Sequence, residues 1–235
     1  MYMTFEEKKH VYLKLTANLL IIFGFIFIVI GFGPVVYDNV TYYIQKDLGQ
    51  TYILSLFDDK GDVVIAKPES VFGGLLKSRQ ISLSPANLDF SIAIEKIGLT
   101  APVVANVSVN DDKKYMASLK NGIAHAVSSE YPSEFAGNTY LFAHSSFDFR
   151  LLGKYARSFN LLDKLIVGDK INIFYKGKDY LYSVTNSEIL PGWNTRPLDR
   201  KVVSPVLTLQ SCYPPGTTFN RIVITAELID VREVK

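Results

Sequence analysis

The sequence predicts a mainly β domain, a barrel or a sandwich, behind one N-terminal transmembrane helix. Short β-prone runs bounded by Gly, Pro, Asn and Asp recur from Leu88 onward, a spacing typical of such folds. A stretch without a single charge, residues 15–37, lies near the N-terminus. Hydrophobic residues make up 48% and charged residues 20% of the chain, which indicates a globular rather than a disordered protein.

The apolar run over residues 15–37 predicts a membrane-spanning helix. At about 1.5 Å per residue it is long enough to cross a hydrocarbon core of roughly 30 Å. Three lysines precede it and Asp38 follows it, so the positive-inside rule places residues 1–14 in the cytoplasm and the rest outside the cell. A cleaved signal peptide is the competing interpretation, but the run is longer than an ordinary signal and no Ala-x-Ala-like site follows. We expect a single-pass protein of the cell membrane.

The rest of the chain divides into a predicted spacer and a predicted catalytic domain. Residues 38–87 mix polar residues with short apolar pieces and turn signals, and are interpreted as a stalk that lifts the domain off the bilayer. Residues 88–235 form the domain. Its predicted strands are 90–94, 101–104, 139–143, 170–175, 178–185, 202–210 and 221–231, and its predicted short helices are 111–119 and 151–157.

Charge and cysteine content exclude several classes of function. The net charge is +2 and the basic residues are scattered, so the chain carries no electrostatic footprint for nucleic acid. One cysteine cannot form an internal disulfide, a CxxC redox pair or a multi-cysteine zinc site. The sequence predicts neither a metal site nor a cofactor. An unpaired thiol outside the membrane is reactive, paired with another molecule, or buried and inert.

That cysteine, Cys212, ends an apolar β-prone run just before Tyr213-Pro-Pro-Gly. Arg221 opens the next such run. If the two runs pair as antiparallel neighbours, the thiol and the guanidinium lie close together. Arginine does not lose its proton in proteins, so Arg221 is a partner for an anion rather than a base.

Nucleophilic cysteine chemistry also requires a histidine for proton transfer. His10 lies on the predicted cytoplasmic side. His125 lies in a loop-like stretch, whereas His144 ends a predicted strand, where a side chain is well placed to line a cleft. Taken alone, either of these two histidines is equally well explained as a structural hydrogen-bonding residue.

Three segments in this order resemble the signature blocks of the sortase family: FAH at 142–144, TLQSC at 208–212 and RIV at 221–223. The stretches IAIEKIGL at 92–99, APVV at 101–104, NGIAH at 121–125 and GNT at 137–139 are similar to supporting parts of the family's catalytic domain. The resemblance covers residues 88–231 and implies a sortase-like closed β-barrel with short helices.

Carried over by position, the resemblance places the catalytic cysteine on Cys212, the histidine on His144 and the arginine on Arg221. Ala143 and Ser211, where many sortases have glycine and threonine, adjoin the reacting residues and are assigned to substrate binding. His125 precedes the catalytic block and is the less favoured histidine.

Two further residues are candidates beside the implied triad. Trp193, the only tryptophan, lies in the segment 186–204, which family analogy makes a wall of the substrate pocket. A partly buried packing role is favoured for it over a role as a lid or pocket aromatic. Asp148 is a weaker candidate for orienting the histidine.

The resemblance implies a transpeptidase that cleaves an LPxTG-like C-terminal sorting signal through a thioester on the cysteine. An amine of a cell-wall precursor or of a pilin would then resolve the thioester. The expected partners are surface proteins that bear sorting signals, and a housekeeping role is favoured over a pilus-specific one. Two alternatives remain: a membrane-anchored cysteine peptidase that hydrolyses its substrate, and a non-catalytic β-barrel that binds surface peptides.

Overall fold

Eight strands close into a barrel in the computed structural model, which describes residues 5–57, 63–65, 80–108, 112–145, 153 and 155–234. A long helix, α1, precedes the strands, and a short helix, α2, lies between the barrel strands β5 and β6. The bounds are α1 Phe5–Asp47, β1 Thr51–Phe57, β2 Val63–Ile65, β3 Gln80–Leu83, β4 Phe90–Ile94, β5 Leu99–Val107, α2 Asp112–Asn121, β6 Ile123–Ala126, β7 Gly137–Phe142, β8 Lys170–Tyr175, β9 Lys178–Pro191, β10 Pro205–Tyr213 and β11 Asn220–Glu233.

The strand order around the barrel is β10-β11-β9-β8-β4-β5-β6-β7, and β7 pairs with β10 to complete the circle. Most neighbours are antiparallel, but β5 pairs with β6 and β7 pairs with β10 in parallel. Closure leaves no unpaired edge among these strands. The predicted fold class, a mainly β closed barrel with short helices behind an apolar N-terminal helix, is confirmed.

Alternating side chains of the strands build two apolar layers. Those that point inward form the main core, in which aliphatic residues from all around the barrel are fully buried: Ile92, Ile94, Ile171, Ile173, Leu207, Leu209 and Ile224. A smaller layer covers the outside of the barrel beneath α2 and contains Val107, Leu119, Ala124, Ala126, Tyr140 and Phe142. Each face of β7 is therefore buried, which explains why its sequence does not alternate between apolar and polar residues.

The predicted and observed strands of the barrel agree in place and differ mainly at their ends. The strands near 90–94 and 170–175 have the predicted bounds. Strand β9 runs on to Pro191 because it pairs with the equally long β11 over its whole length. Strand β6 was not predicted: its four residues are all buried, so no alternation marks them. The predicted helix 151–157 is wrong for its described residues 155–157, which form turns.

Helix α1 is longer at both ends than the predicted membrane span of residues 15–37. It is long and apolar enough to cross a membrane, and its apolar part is exposed. Beyond the apolar run, Asp38 lies 3.2 Å from the Arg157 guanidinium and accepts a hydrogen bond from Asn160 at 3.0 Å. Together with the Lys164 ammonium over the Tyr43 ring, these contacts fasten the segment of α1 just beyond the apolar run to the domain.

The stretch predicted as a spacer contains the end of α1 and a three-stranded sheet, in the order β2-β1-β3. The Leu54 N–H of β1 donates a hydrogen bond to the Glu95 carboxylate of the barrel at 2.6 Å. The Tyr52 ring packs on Gly98, where a Cβ would lie 2.5 Å from it; the φ of +62° also requires glycine there. In its described residues this stretch contacts the domain rather than forming a free stalk, and the division into domains remains a prediction.

Candidate active site

Cys212 and Arg221 are direct neighbours across the antiparallel pair of β10 and β11. The register places Cys212 opposite Arg221, one residue from the end of the ladder. Side chains that are opposite each other in such a pair lie on the same face of the sheet, with Cβ atoms about 5 Å apart. The hairpin expected from the sequence therefore forms, and the free thiol is half-buried rather than enclosed in the core.

His144 lies two residues beyond β7, which is the other neighbour of β10. In that parallel pair Phe142 is opposite Gln210, so the same register continued by two residues leads to His144 and Cys212. The Ala143 N–H donates to the Gln210 carbonyl at 3.3 Å, and the Ser145 hydroxyl donates to the Cys212 carbonyl. The backbone on both sides of His144 is thus fastened to the strand that carries the cysteine.

The three side chains share the outer face of the barrel. On β7, Leu141 and Ala143 belong to the inner core, whereas Tyr140 and Phe142 belong to the outer layer. Continued along the chain, this alternation places His144 on the outer face. On β10, Leu209 points inward and Ser211 is buried, so Cys212 also lies on the outer face. Arg221 precedes the inward Ile222. The candidate active site is therefore a surface at the ends of β7 and β10, not a cavity inside the barrel.

Burial makes the site less polar than bulk water and leaves two polar atoms without partners. Desolvation lowers the pKa of His144, which favours the neutral imidazole at neutral pH. Its Nε2 atom is buried and has no hydrogen-bond partner among the described residues; the same is true of Gln210 Oε1 on the adjacent strand. Within the described part of the chain, no group of three His, Cys, Asp or Glu side chains is placed to hold a metal ion.

Tyr115 of α2 is a neighbour of the site that the sequence did not single out. Its ring meets the His144 ring edge-on at 5.8 Å between centroids and stacks on Phe142 at 5.8 Å. Burial raises the pKa of the Tyr115 phenol, and the nearby Cys212 acts in the same direction. Helix 111–119 was predicted, but helical spacing alone does not show that this aromatic ring faces a histidine on a separate strand.

The guanidinium of Arg221 also holds the loop that joins β10 to β11. Its Nη1 donates hydrogen bonds to the carbonyls of Thr218 at 3.1 Å and Asn220 at 3.0 Å. The end of β9 closes over this loop, since the Gly192 N–H donates to the Phe219 carbonyl at 2.9 Å. A Cβ at Gly192 would lie 2.7 Å from the Thr218 carbonyl oxygen, so this approach of two backbones requires glycine.

Trp193 follows Gly192 in the turn after β9 and is 81% exposed. The partly buried packing role, which was the favoured interpretation of this residue, is wrong. Phe219, on the loop that Gly192 contacts, is 77% exposed. Two large aromatic side chains thus stand in solvent on adjoining loops beside Arg221, where they are available to a ligand.

Ala143, Ser211 and His125 are buried. The Ser211 hydroxyl donates to the Ala143 carbonyl at 2.9 Å, and both residues are less than 10% exposed, so they join β10 to β7 instead of lining an open surface. His125 is fully buried in β6, not in a loop as expected, and its ring stacks on Tyr131. Asp148 lies outside the described residues.

Comparisons with known proteins agree with this architecture. The family model of the Sortase domain matches residues 92–229, more than half of the chain. Sortase C-1 of Actinomyces oris superposes with a TM-score of 0.51 at 22% identity, over 62% of this chain and 76% of that one. Sortase A of Corynebacterium diphtheriae gives 0.51 and 22%, over 63% of both chains. Sortase A of Listeria monocytogenes gives 0.51 and 22%, over 63% and 91%.

No curated protein matches the chain. The structural neighbours include both sortases A and sortases C, so the fold does not distinguish between these classes. The family model includes residues of every strand of the barrel and the positions of His144, Cys212 and Arg221. The chain belongs to the sortase family, a family of cysteine transpeptidases.

Proposed function

We propose that this protein is a membrane-anchored sortase that cleaves an LPxTG-like C-terminal sorting signal and transfers the cleaved protein to an amine. The observation that carries the proposal is the register of β7, β10 and β11. It places Cys212 opposite Arg221 and brings the backbone around His144 against the Cys212 strand. The proposed acceptor is an amine of a cell-wall precursor or of a pilin.

In the first half-reaction the Cys212 sulfur attacks the threonine carbonyl of the signal while His144 takes the thiol proton. The lowered pKa of His144 supports this order, since a neutral imidazole is ready to accept a proton. The C–N bond then breaks, the imidazolium gives its proton to the leaving amine, and a thioester remains on Cys212. Arg221 carries a fixed positive charge beside the oxygen on which negative charge develops.

In the second half-reaction the acceptor amine attacks the thioester carbonyl. His144 removes a proton from the incoming nitrogen, and the C–S bond breaks to release the new amide and the free thiol. Ligation requires that the amine reach the thioester before water does.

The proposed orientation follows from the charges beside α1, with the N-terminus in the cytoplasm and the barrel outside. Protease protection of intact cells tests it. If the barrel is outside, protease added to whole cells digests it and leaves a short fragment that contains α1. Protection of the barrel in intact cells would contradict this orientation.

A peptide assay on the detergent-solubilised full chain tests the reaction. The chain is incubated with a fluorescent LPxTG-containing peptide, with and without an amine acceptor, and the products are resolved by mass spectrometry. We expect an amine-dependent ligation product and a thioester adduct that Cys212→Ala abolishes. The matched control, Val127→Ala, changes a residue that is 55% exposed beyond the end of β6 and should retain activity. Cleavage that ignores the amine would favour the peptidase alternative, and absence of any adduct would contradict the enzyme.

A further inference from the structure

A cleft of about 800 Å³ lies between the end of α1 and the barrel, and none of the residues that line it belongs to the candidate active site. We name it the juxtamembrane cleft, after its position beside Tyr42, Tyr43 and Lys46 of α1 and Lys96, Lys164 and Lys170 of the barrel. We propose that the catalytic domain sits directly on the bilayer and that this cleft binds the headgroup of an anionic phospholipid. This inference depends on the proposed membrane anchoring of α1, and not on the transpeptidase reaction.

The first argument concerns height above the membrane. The charge-free run of α1 ends at Tyr37, and Tyr43 is six residues further along the same helix. A rise of 1.5 Å per residue places Tyr43 at most about 9 Å beyond the end of that run, and any kink or tilt reduces this height. The polar headgroup layer on each side of the hydrocarbon core is roughly 5–8 Å thick. Tyr43 is therefore at the level of the headgroups or just above them.

The barrel is fastened to α1 at this same level. Asp38, the first residue beyond the run, pairs with Arg157 and accepts a hydrogen bond from Asn160. The Lys164 ammonium lies over the Tyr43 ring, 5.3 Å from its centroid. These contacts hold the segment of the barrel from Arg157 to Lys164 beside the first two turns of helix outside the membrane. A domain fastened there has no room for a stalk between itself and the bilayer.

The second argument concerns charge. Four lysines line the juxtamembrane cleft against two carboxylates, Glu95 and Asp169. Asp169 is occupied by Lys96 at 2.7 Å, and Glu95 accepts the Leu54 N–H. Lys46 makes no ion pair with any described residue. Lys164 is paired with Asp163 at 2.9 Å. Lys46 and Lys170 then remain against the Glu95 carboxylate, so the cleft carries a small excess of positive charge, which attracts an anion.

Lys170 is the second lysine of the cleft whose charge is available to a phosphate group. The Lys170 ammonium donates to the neutral Ser183 hydroxyl at 3.0 Å, so it still lacks an anionic partner among the described residues. Tyr42, Tyr43 and Tyr52 supply aromatic rings, which are enriched at the level of the headgroups. Lysines near an anionic leaflet are attracted to it, and the bilayer crossed by α1 provides such headgroups in contact with the cleft.

Fluorescence quenching in nanodiscs tests whether the domain lies on the bilayer. Because Cys212 is the only cysteine, its replacement leaves an introduced cysteine as the single site for a label. In the full chain with Cys212→Ala, a fluorophore is attached through Ile166→Cys, at an exposed position that lines the cleft, or through Glu233→Cys. Glu233 is paired with Lys178, which in turn is paired with Tyr175. Tyr175 is the last residue of β8, whereas Lys170 of the cleft is the first. A nitroxide on the lipid headgroup should quench the label at position 166 at least threefold more than the label at 233. Equal quenching at the two positions would overturn the seating.

The lipid preference is tested by native mass spectrometry of the detergent-solubilised full chain titrated with phosphatidylglycerol or phosphatidylcholine. We expect tighter binding of the anionic lipid, and a loss of about tenfold to thirtyfold in the Lys46→Gln/Lys170→Gln variant. The matched control, Lys120→Gln/Lys201→Gln, removes the same charge at exposed positions outside the cleft and should bind as the parent does. Equal binding of both lipids, or equal loss in both variants, would overturn the headgroup site.

Alkaline extraction of membranes distinguishes failure of the cleft proposal from failure of the membrane anchoring of α1. If the chain stays in the membrane pellet while the label at 166 is not quenched, the cleft proposal fails and the anchoring stands. If the chain is extracted into the supernatant, both fail. The Cys212→Ala background keeps each result independent of transpeptidation.

Discussion

Cys212 of β10 lies directly opposite Arg221 of β11, in the last but one pair of an eight-residue ladder. That position gives the guanidinium two tasks. It faces the thiol across the pair, and its Nη1 holds the carbonyls of Thr218 and Asn220 in the loop between the strands. The residue proposed to meet the developing oxyanion is thus itself fixed by its own loop, which is the kind of preorganisation that electrostatic catalysis needs.

Replacing Arg221 should therefore reduce the rate far more than the stability. We expect Arg221→Ala to lower kcat/KM for the sorting peptide by about 10²–10³-fold, the range found when one oxyanion donor is removed. Arg221→Lys should recover little of this loss, because an ammonium keeps the charge but lacks the planar fork of donors. Peptide kinetics and thermal unfolding of the same samples check both claims. An Arg221→Lys variant with parental kcat/KM would show that charge alone is sufficient.

Ser211 offers a test of how firmly the cysteine strand is joined to the histidine strand. Its buried hydroxyl donates to the Ala143 carbonyl, next to His144. We expect Ser211→Ala to cost about 1 kcal/mol of unfolding free energy, because a buried carbonyl loses its donor. A fall in kcat should accompany this cost. Ser211→Thr keeps the hydroxyl and is the matched control. Unchanged stability in Ser211→Ala, measured by urea unfolding, would contradict the role assigned to this bond.

The parts of the site that the sequence predicted well are local in the chain. Cys212 and Arg221 are joined by a short loop, and two β-prone runs around a Tyr-Pro-Pro-Gly turn lead to a hairpin by turn chemistry alone. His144 is different, because it reaches Cys212 through a parallel pairing between strands far apart in the sequence. No local pattern encodes that pairing, and the resemblance to sortases was needed to choose His144 over His125.

The mistaken predictions also have physical causes. Strand β6 is buried on both faces, so its sequence lacks the period of two that marks a half-buried strand. Residues 38–47 carry polar and aromatic residues without an obvious apolar stripe, and their helix is stabilised by contacts such as that of Asp38 with Arg157. Trp193 is exposed although tryptophan is usually well buried, because it lies in the turn after β9, outside the strands that form the core.

His125 should make the barrel sensitive to acid. The Asn106 N–H donates to its Nδ1 at 3.5 Å, and Nε2 lies 3.1 Å from the Glu130 carbonyl, an acceptor, so Nε2 carries the hydrogen of a neutral ring. A second proton on Nδ1 would face another donor. Burial of the ring, which penalises the charged imidazolium, lowers the pKa of His125 below its ordinary value.

The sign of the effect follows from linkage. As the pH falls through about 6.5, the unfolded chain binds a proton at this histidine before the folded protein does, so folding stability falls. We expect a loss of up to about 1.4 kcal/mol per pH unit from this residue, present in the parent and absent in His125→Gln. Urea unfolding at several pH values between 8 and 5.5 measures it. NMR titration of the His125 ring provides an independent check, and a pKa at or above 6.5 in the folded protein would contradict the prediction.

Trp193 supplies a built-in probe of substrate binding, because it is the only tryptophan and is 81% exposed. If its loop closes on the sorting signal, the indole leaves water. We expect the emission of the Cys212→Ala chain to shift to shorter wavelength when LPxTG peptide is added, and not when a scrambled peptide is added. The peptide Kd should rise at least fivefold in Trp193→Ala, measured by calorimetry. A spectrum that stays constant at saturating peptide would remove Trp193 from the binding surface.

Asn138 is expected to control that loop from a distance. Its buried amide donates to the Pro197 carbonyl at 3.0 Å, and its oxygen accepts the Thr208 hydroxyl at 2.7 Å, so one side chain ties the loop after β9 to both β7 and β10. Asn138→Ala should lower the unfolding free energy by about 1–3 kcal/mol, because two buried groups lose their partner.

The same change should release the loop, so the fluorescence anisotropy of Trp193 should fall and KM should rise more than kcat falls. Asn186→Ala is the matched control: Asn186 is exposed on β9, and its replacement should change stability by less than about 0.5 kcal/mol. If Asn138→Ala loses stability while the anisotropy and KM stay at their parental values, Asn138 fastens the two strands but does not position the loop.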